Sequence, residues 1–216
     1  MSTAAQLSRT LKSHQGALPE VFAIRLHRAI SWLKSAEELE KNPDMQFIGL
    51  WIACNSCYSA DDQSKEIQNE RDRFGDFAGR LAKLDSENRL YNMLWNKFTG
   101  PVRLLIENQY VYGPFWEFQR GTIKDWIKSH EQSIATANRF LSEHNVKGLL
   151  QIVLDRLYTL RNQLVHGGAT YKSKLNRAQV RDGSNMLGAM LPVMLDIMMA
   201  NPEEDWGLIS YPPLGG

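Results

Sequence analysis

The stretch VKGLLQIVLDRLYTLRNQLVH, residues 146–166, decides the fold class. Leu149, Val153, Arg156 with Leu157, Leu160 and Leu164 recur at steps of three and four. On a helix of 3.6 residues per turn, that spacing lines up as one buried stripe. Gly167 and Gly168 follow at once, and glycine accepts the left-handed backbone that a helix end requires. The pattern predicts a long amphipathic helix whose last turn and stop, LRNQLVHGG (160–168), gather an arginine, an asparagine and a histidine.

The same period runs outward in both directions. In PEVFAIRLHRAISWLKSAEELEK (19–41), Phe22, Leu26, Ala29, Leu33 and Ala36 form another stripe, with Pro19 suited to a first turn. Asn42-Pro43-Asp44 breaks and restarts the chain, and MQFIGLWIACNSCYSA (45–60) is apolar nearly all round, as a central helix would be. Asn55 inside it wants a partner, either on the motif helix or within the core. After Asp61-Asp62, a charged amphipathic segment carries Ile67, Phe74, Phe77 and Leu81. Ser86 is placed to cap a helix through Trp95 and Phe98, and Gly100-Pro101 marks a break before VRLLIENQYV.

YGPFWEFQRG (112–121) reads as an ordered loop, and the aromatics from Tyr110 to Phe118 read as packing rather than as a base-stacking platform. A further helix is expected from Trp126 to Phe140. ATYKSKLN (169–176) is loop-like, and Asn176 is suited to cap a last helix from Arg177 to about Met199, with a kink at Pro192. The tail from residue 200 to 216 is irregular. There is no internal repeat and no alternating strand pattern. The expected class is all-α: an up-and-down helical bundle, one domain over 1–216, with extra helices inserted at about 62–145.

Composition narrows the function classes. Of 216 residues, 43% are hydrophobic, enough for a sizeable core, which argues against wholesale disorder. With 25 basic and 24 acidic residues the net charge is +1, which argues against a broad nucleic-acid coat but leaves room for a local basic patch. Two cysteines, Cys54 and Cys57, make no disulfide framework and have no second ligand pair for zinc, so they read as small core residues in a reducing compartment. The first residues lack the apolar core of a signal peptide, and no uncharged run reaches the ~20 residues of a membrane span. A cytoplasmic setting with no membrane partner is the expectation.

An arginine followed five positions later by a histidine occurs three times: Arg9 to His14, Arg139 to His144, and Arg161 to His166. Spacing alone does not choose among them. The first lies in a polar N-terminal segment that need not be ordered, and the second ends a less regular helix. The third has Asn162 beside its arginine, a strongly periodic helix before it and glycines after it. Five residues on a regular helix turn about 140° past a full circle, so the two side chains would diverge. The expectation is that the stop at Gly167 lets His166 swing back toward Arg161.

RNQLVHG resembles the Arg-x4-6-His motif of HEPN domains, including the polar residue that often follows the arginine. The order of elements is also similar: LHRAISWLKSAEEL, then FIGLWIACNSCYS, then the motif helix, then a closing helix. The resemblance covers Pro19 to about Ala60 and Lys147 to Met199; the middle has no counterpart. It implies a compact α-helical bundle, usually dimeric, whose catalytic members are metal-independent endoribonucleases, often in toxin–antitoxin or defence systems. Carried over, Arg161 matches the motif arginine, Asn162 its polar neighbour and His166 the motif histidine. Some family toxins paired with nucleotidyltransferases carry a tyrosine two residues after the histidine; here that position is Gly168.

The residues suit that chemistry on their own terms. RNA carries its nucleophile, the 2′-hydroxyl, so neither metal nor cofactor is obligatory. Imidazole, with an unperturbed pKa of ~6.5, serves as base or acid near neutral pH. A guanidinium binds the charge that builds on the phosphorus centre through two parallel hydrogen bonds. One protomer offers one such histidine, so a homodimer with its two-fold axis beside the motif would complete the site. Lys172, Lys174, Arg177 and Arg181 form a basic run that would grip phosphates, with Tyr171 available for stacking. The same residue types also suit simpler roles: a cation and a capping imidazole at a helix C-terminus, and a solvated basic face. Three expectations follow: an endoribonuclease acting on RNA, with a possible antitoxin partner; a non-catalytic HEPN module that binds RNA or a protein; or a purely structural helical protein with Arg161 and His166 apart in space.

Overall fold

The computed structural model describes residues 2–14, 16–59, 70–174 and 176–212, with the side chains of residues 70 and 71 left aside. Among the described residues the fold is all-α: ten α-helices, one π-helical turn and one 3-10 turn, with no strand. Asp61-Asp62 and Ile67 lie outside the described residues, as does the end of the tail from 213 to 216. The chain divides into two compact units, one of residues 1–73 with 184–216, the other of residues 74–183.

The first unit begins with α1 (Ala4–Ser13), in the polar segment whose composition alone does not require order. Thr3 explains it. Its side chain accepts the Gln6 amide N–H while the Gln6 side chain takes the Thr3 N–H, so two orphan donors of the first turn are satisfied at once. Arg9 and His14 therefore belong to a formed helix, and a ring nitrogen of His14 bonds the Thr10 carbonyl at 2.8 Å.

α2 (Glu20–Glu38) follows Pro19 and buries Phe22, Leu26, Ala29, Leu33 and Ala36, the stripe read from the sequence. α3 (Pro43–Tyr58) starts where Asn42 accepts the Met45 N–H, with Pro43 in its first turn, and buries Phe47, Leu50, Trp51, Cys54 and Cys57. Asn55 is half-buried. Both cysteines are buried, and burial pushes the Cys57 thiol up to about 12, against the opposing pull of Arg25. A thiol held protonated in the core is inert, as small core residues are. The tail is tied down: Trp206 stacks on Phe22 with ring centres 6.2 Å apart, and Arg25 donates to the carbonyls of Gly207 and Leu208.

In the second unit, α4 (Glu70–Leu84) supplies Phe74, Phe77 and Leu81 to the core. The next cap is Asp85 rather than Ser86: its carboxylate accepts the Leu90 N–H at 2.7 Å. The helix so capped is short, α5 (Arg89–Asn92), and passes into the π-helical turn Met93–Lys97, closed by the Phe98 N–H on the Met93 carbonyl. Gly100 and Pro101 sit inside the first turn of α6 (Thr99–Glu107), where a missing N–H costs nothing. A 3-10 turn (Gln109–Val111) leads into α7 (Gly113–Gln119), so the expected loop around Gly113-Pro114 is a short helix begun by its proline. α8 (Ile127–Ser142) and α9 (Val146–Val165) complete the unit, and α9 packs against α6, α8 and the 3-10 turn.

α10 (Arg177–Ala200) runs on past Pro192. Asn176 does not cap it with its side chain: its backbone carbonyl accepts the Val180 N–H, while Oδ1 has no hydrogen-bond partner among the described residues. By length and composition α10 could cross a membrane, with a mean hydropathy of 1.3 over its most apolar window, but 72% of that window is buried inside the protein. Burial of that kind is what a core helix shows.

Candidate functional site

α9 starts where the Asn145 side chain accepts the Gly148 N–H at 2.9 Å. Leu149, Leu150, Val153, Leu154, Leu157 and Leu160 are buried, which fixes the rotation of the helix and sends its C-terminal turn toward solvent. Leu164, expected on the buried stripe, is half-buried, and Val165 is exposed.

His166 is the C-cap. Its backbone has left the helical region, φ −91° and ψ 13°, and its N–H reaches the Asn162 carbonyl. Gly167 then turns left-handed at φ +68°. The stop is where the glycines placed it, but it comes one residue after the imidazole is already positioned. The left-handed turn expected to bring His166 back toward Arg161 thus follows His166 and does not include it.

Arg161 is half-buried and donates from Nη1 to Oδ1 of Asn162 at 2.9 Å. The structure thus joins two of the three motif residues directly. His166 is exposed, and its imidazole has no hydrogen bond, ion pair or ring contact among the described residues, including to Arg161. The guanidinium and the imidazole share one helix end without a hydrogen bond between them.

The basic run follows in the loop. Tyr171 is 62% exposed, and the Lys172 ammonium lies 5.2 Å from its ring centre. Lys172 adopts a left-handed backbone at φ +58°, in a turn closed by the Ser173 N–H on the Thr170 carbonyl. Lys174 is exposed, and Arg177 is half-buried at the start of α10. Arg181 is exposed and lies 3.7 Å from the Asp182 carboxylate, which offsets part of its charge. From Arg161 to Arg181 the chain holds five lysines and arginines and no acidic residue, so the segment is locally cationic in a nearly neutral protein.

Sequence reading missed Gln163. Its side-chain amide donates to the backbone carbonyl of Tyr110, which also accepts the indole N–H of Trp116 at 2.8 Å. The aromatic segment is thereby fastened to the motif helix. No local signal announces a contact between residues 53 apart in the chain.

A second polar cluster lies deeper in this unit. Arg156, 1% exposed, donates to Ser133 at 2.9 Å and stands over the Tyr112 ring. His130 packs between the rings of Tyr112 and Trp126, at 5.0 and 5.5 Å. Its pKa is lowered, first by burial and then by the Arg156 charge. Among the described residues no group of three His, Cys, Asp or Glu side chains is arranged to hold a metal ion.

No family model, curated protein or solved structure matches this chain.

Proposed function

We propose that this chain is a metal-independent endoribonuclease of HEPN type, acting as a homodimer. One observation carries the reading: Asn162 steadies the Arg161 guanidinium at the end of α9, and the His166 imidazole stands open to solvent at the cap of the same helix. Steadying one donor leaves the remaining guanidinium donors free to bind a phosphate in the two-pronged manner that arginine favours.

In the reaction, one His166 takes the proton of the RNA 2′-hydroxyl, and that oxygen attacks the adjacent phosphorus. The bond to the 5′-oxygen breaks, and an acid returns a proton to it. The products are a 2′,3′-cyclic phosphate and a 5′-hydroxyl. Arg161 binds the non-bridging oxygens as they gain charge. A single protomer supplies one imidazole, so the second comes from a partner docked with its two-fold axis beside the motif. Lys172, Lys174, Arg177 and Arg181, with Tyr171, hold the strand on either side.

The test is cleavage of diverse RNAs in EDTA by the wild type, Arg161→Ala and His166→Ala, with the products' termini identified. Metal-independent cutting that both substitutions abolish supports the proposal. An inert wild type, or variants that cut normally, overturns it.

A second reading is favoured by one observation: Arg161 and His166 share no hydrogen bond within the protomer. On that reading the same fold is a non-catalytic module that binds RNA or a partner protein such as an antitoxin, and binding without cleavage is its signature.

A further inference from the structure

Tyr110 is 53% exposed, although its neighbours Val111, Tyr112 and Phe115 are each 8% exposed or less. The core therefore takes the residues around it and leaves this one out. Its backbone is nevertheless fixed from both ends. The Tyr110 N–H is bound by the Asn108 side chain at 2.8 Å, and its carbonyl accepts from both Trp116 Nε1 and Gln163 Nε2. Phe115 meets the ring edge-to-face, with centres 5.4 Å apart and planes at 86°. An aromatic side chain that faces solvent yet is held at backbone and ring pays its ordering entropy before any ligand arrives, which is how a preorganised contact gains affinity.

The position matters as much as the rigidity. Gln163 lies between Arg161 and His166, three residues before the histidine. Residues three apart on a helix are surface neighbours, with Cβ atoms about 5–6 Å apart. Tyr110 is thus fastened beside the end of α9 that carries the motif, followed by four cations and no acidic residue up to Arg181.

We infer that Tyr110 is a nucleobase-stacking platform for single-stranded RNA, holding a base beside the motif while the cationic segment after it meets the backbone. This rests on the RNA-directed reading above and gives that reading a positioning residue outside the motif. Stacking on an aromatic face is tolerant of sequence, because every base has a π-face. The platform therefore sets where along a strand the phosphate meets Arg161 rather than which base is chosen.

The full chain is titrated with a fluorescent single-stranded RNA carrying 2′-O-methyl groups, which binds but cannot be cut, and the all-ribose RNA is assayed for cleavage in EDTA with the same proteins. Tyr110→Ala should weaken binding by about fivefold to a hundredfold, as loss of one stacked base does. Tyr110→Phe should bind within about twofold of the wild type, since the ring and not the hydroxyl does the stacking. The slope of affinity against salt should stay as in the wild type, because no phosphate contact is lost. Unchanged melting of both variants excludes misfolding as the cause. Wild-type affinity in Tyr110→Ala, equal losses in Ala and Phe, or no RNA binding by the wild type each overturn the inference. If Tyr110→Ala alone loses binding while the wild type cuts nothing, the platform stands and the nuclease reading falls. If the wild type cuts and Tyr110→Ala binds and cuts equally well, the platform falls and the nuclease reading stands.

Discussion

The guanidinium carbon of Arg156 lies 4.4 Å from the centre of the Tyr112 ring, with the side chain 1% exposed. The same guanidinium donates to Ser133 at 2.9 Å and lies 3.6 Å from the Asp155 carboxylate. A cation taken out of water must be compensated, and here ring, hydroxyl and carboxylate share that work. Arg156→Ala removes the stack, strands Ser133 and leaves a void, so it should cost about 3 kcal/mol or more in urea denaturation. Arg156→Lys keeps a charge but loses the planar stack and should fall between the two. An Ala variant as stable as the wild type would show that the guanidinium is not what anchors α9 to α8.

Beside it, His130 should make stability depend on pH. Burial, then the Arg156 charge, lowers its pKa, while the Ile106 backbone hydrogen bond and Glu131 act in the opposite sense. The unfolded chain, with histidine near ~6.5, therefore takes up the proton more readily than the folded one. Stability is fully present above ~6.5 and declines as pH falls from there toward the lowered value in the fold. Denaturant midpoints measured from pH 7.5 down to 5 should fall in the wild type and flatten in His130→Gln. Parallel slopes in the two proteins would assign the effect to other groups.

Much of the fold was legible because helix ends are written locally. Asn42 with Pro43, and Gly167 after His166, mark their boundaries through a cap, a ring and a left-handed turn that depend on near neighbours alone. The buried stripe of α9 was legible as far as Leu160, beyond which the helix end turns to solvent. α1 went unread because its Thr3–Gln6 capping box outweighs a polar composition. The π-helical turn at Met93–Lys97 carries no period that sets it apart. Within the site, Arg161 and Asn162 are adjacent, so their bond lies within reach of sequence reading, whereas Gln163 to Tyr110 joins segments that only the fold brings together. Arg25, Arg156 and His130 look like surface residues until distant partners are known.

Gly148 should resist substitution. A Cβ built there would stand 2.4 Å from the Phe140 ring, so alanine forces the ring or the start of α9 to move. Gly148→Ala should destabilise by about 1–3 kcal/mol, the usual cost of overpacking. Pairing it with Phe140→Ala removes the clash, so the double variant should be less destabilised than the sum of the singles. Strict additivity in that cycle would deny the contact.

Arg25 closes the end of α3. Its Nη1 meets the carbonyls of Ser56, Cys57 and Ser59 at 3.2, 3.1 and 2.8 Å, and Nη2 meets those of Gly207 and Leu208, both at 3.1 Å. The last carbonyls of a helix lack partners within it and carry its negative end, so a guanidinium there satisfies both needs. Arg25→Met keeps much of the volume but strands these oxygens, and should cost about 3 kcal/mol with earlier proteolysis of the tail. Tail cleavage at the wild-type rate would separate Arg25 from the tail's attachment.

The motif itself yields a graded prediction. If Arg161 binds the scissile phosphate, Arg161→Ala removes a transition-state contact and should lower cleavage by about a hundredfold or more. Asn162 acts through Arg161 by its 2.9 Å bond, so Asn162→Ala should leave the guanidinium present but less well aimed. Its loss should be smaller, about tenfold, and should fall on kcat rather than KM if aiming matters most in the transition state. Asn162→Asp puts a carboxylate against the guanidinium and diverts its charge from phosphate, so it should be worse than Asn162→Ala despite keeping the hydrogen bond. Single-turnover cleavage of one RNA by the three variants orders them. An Asp variant more active than the Ala variant would mean that Asn162 meets the substrate itself rather than holding the arginine for it.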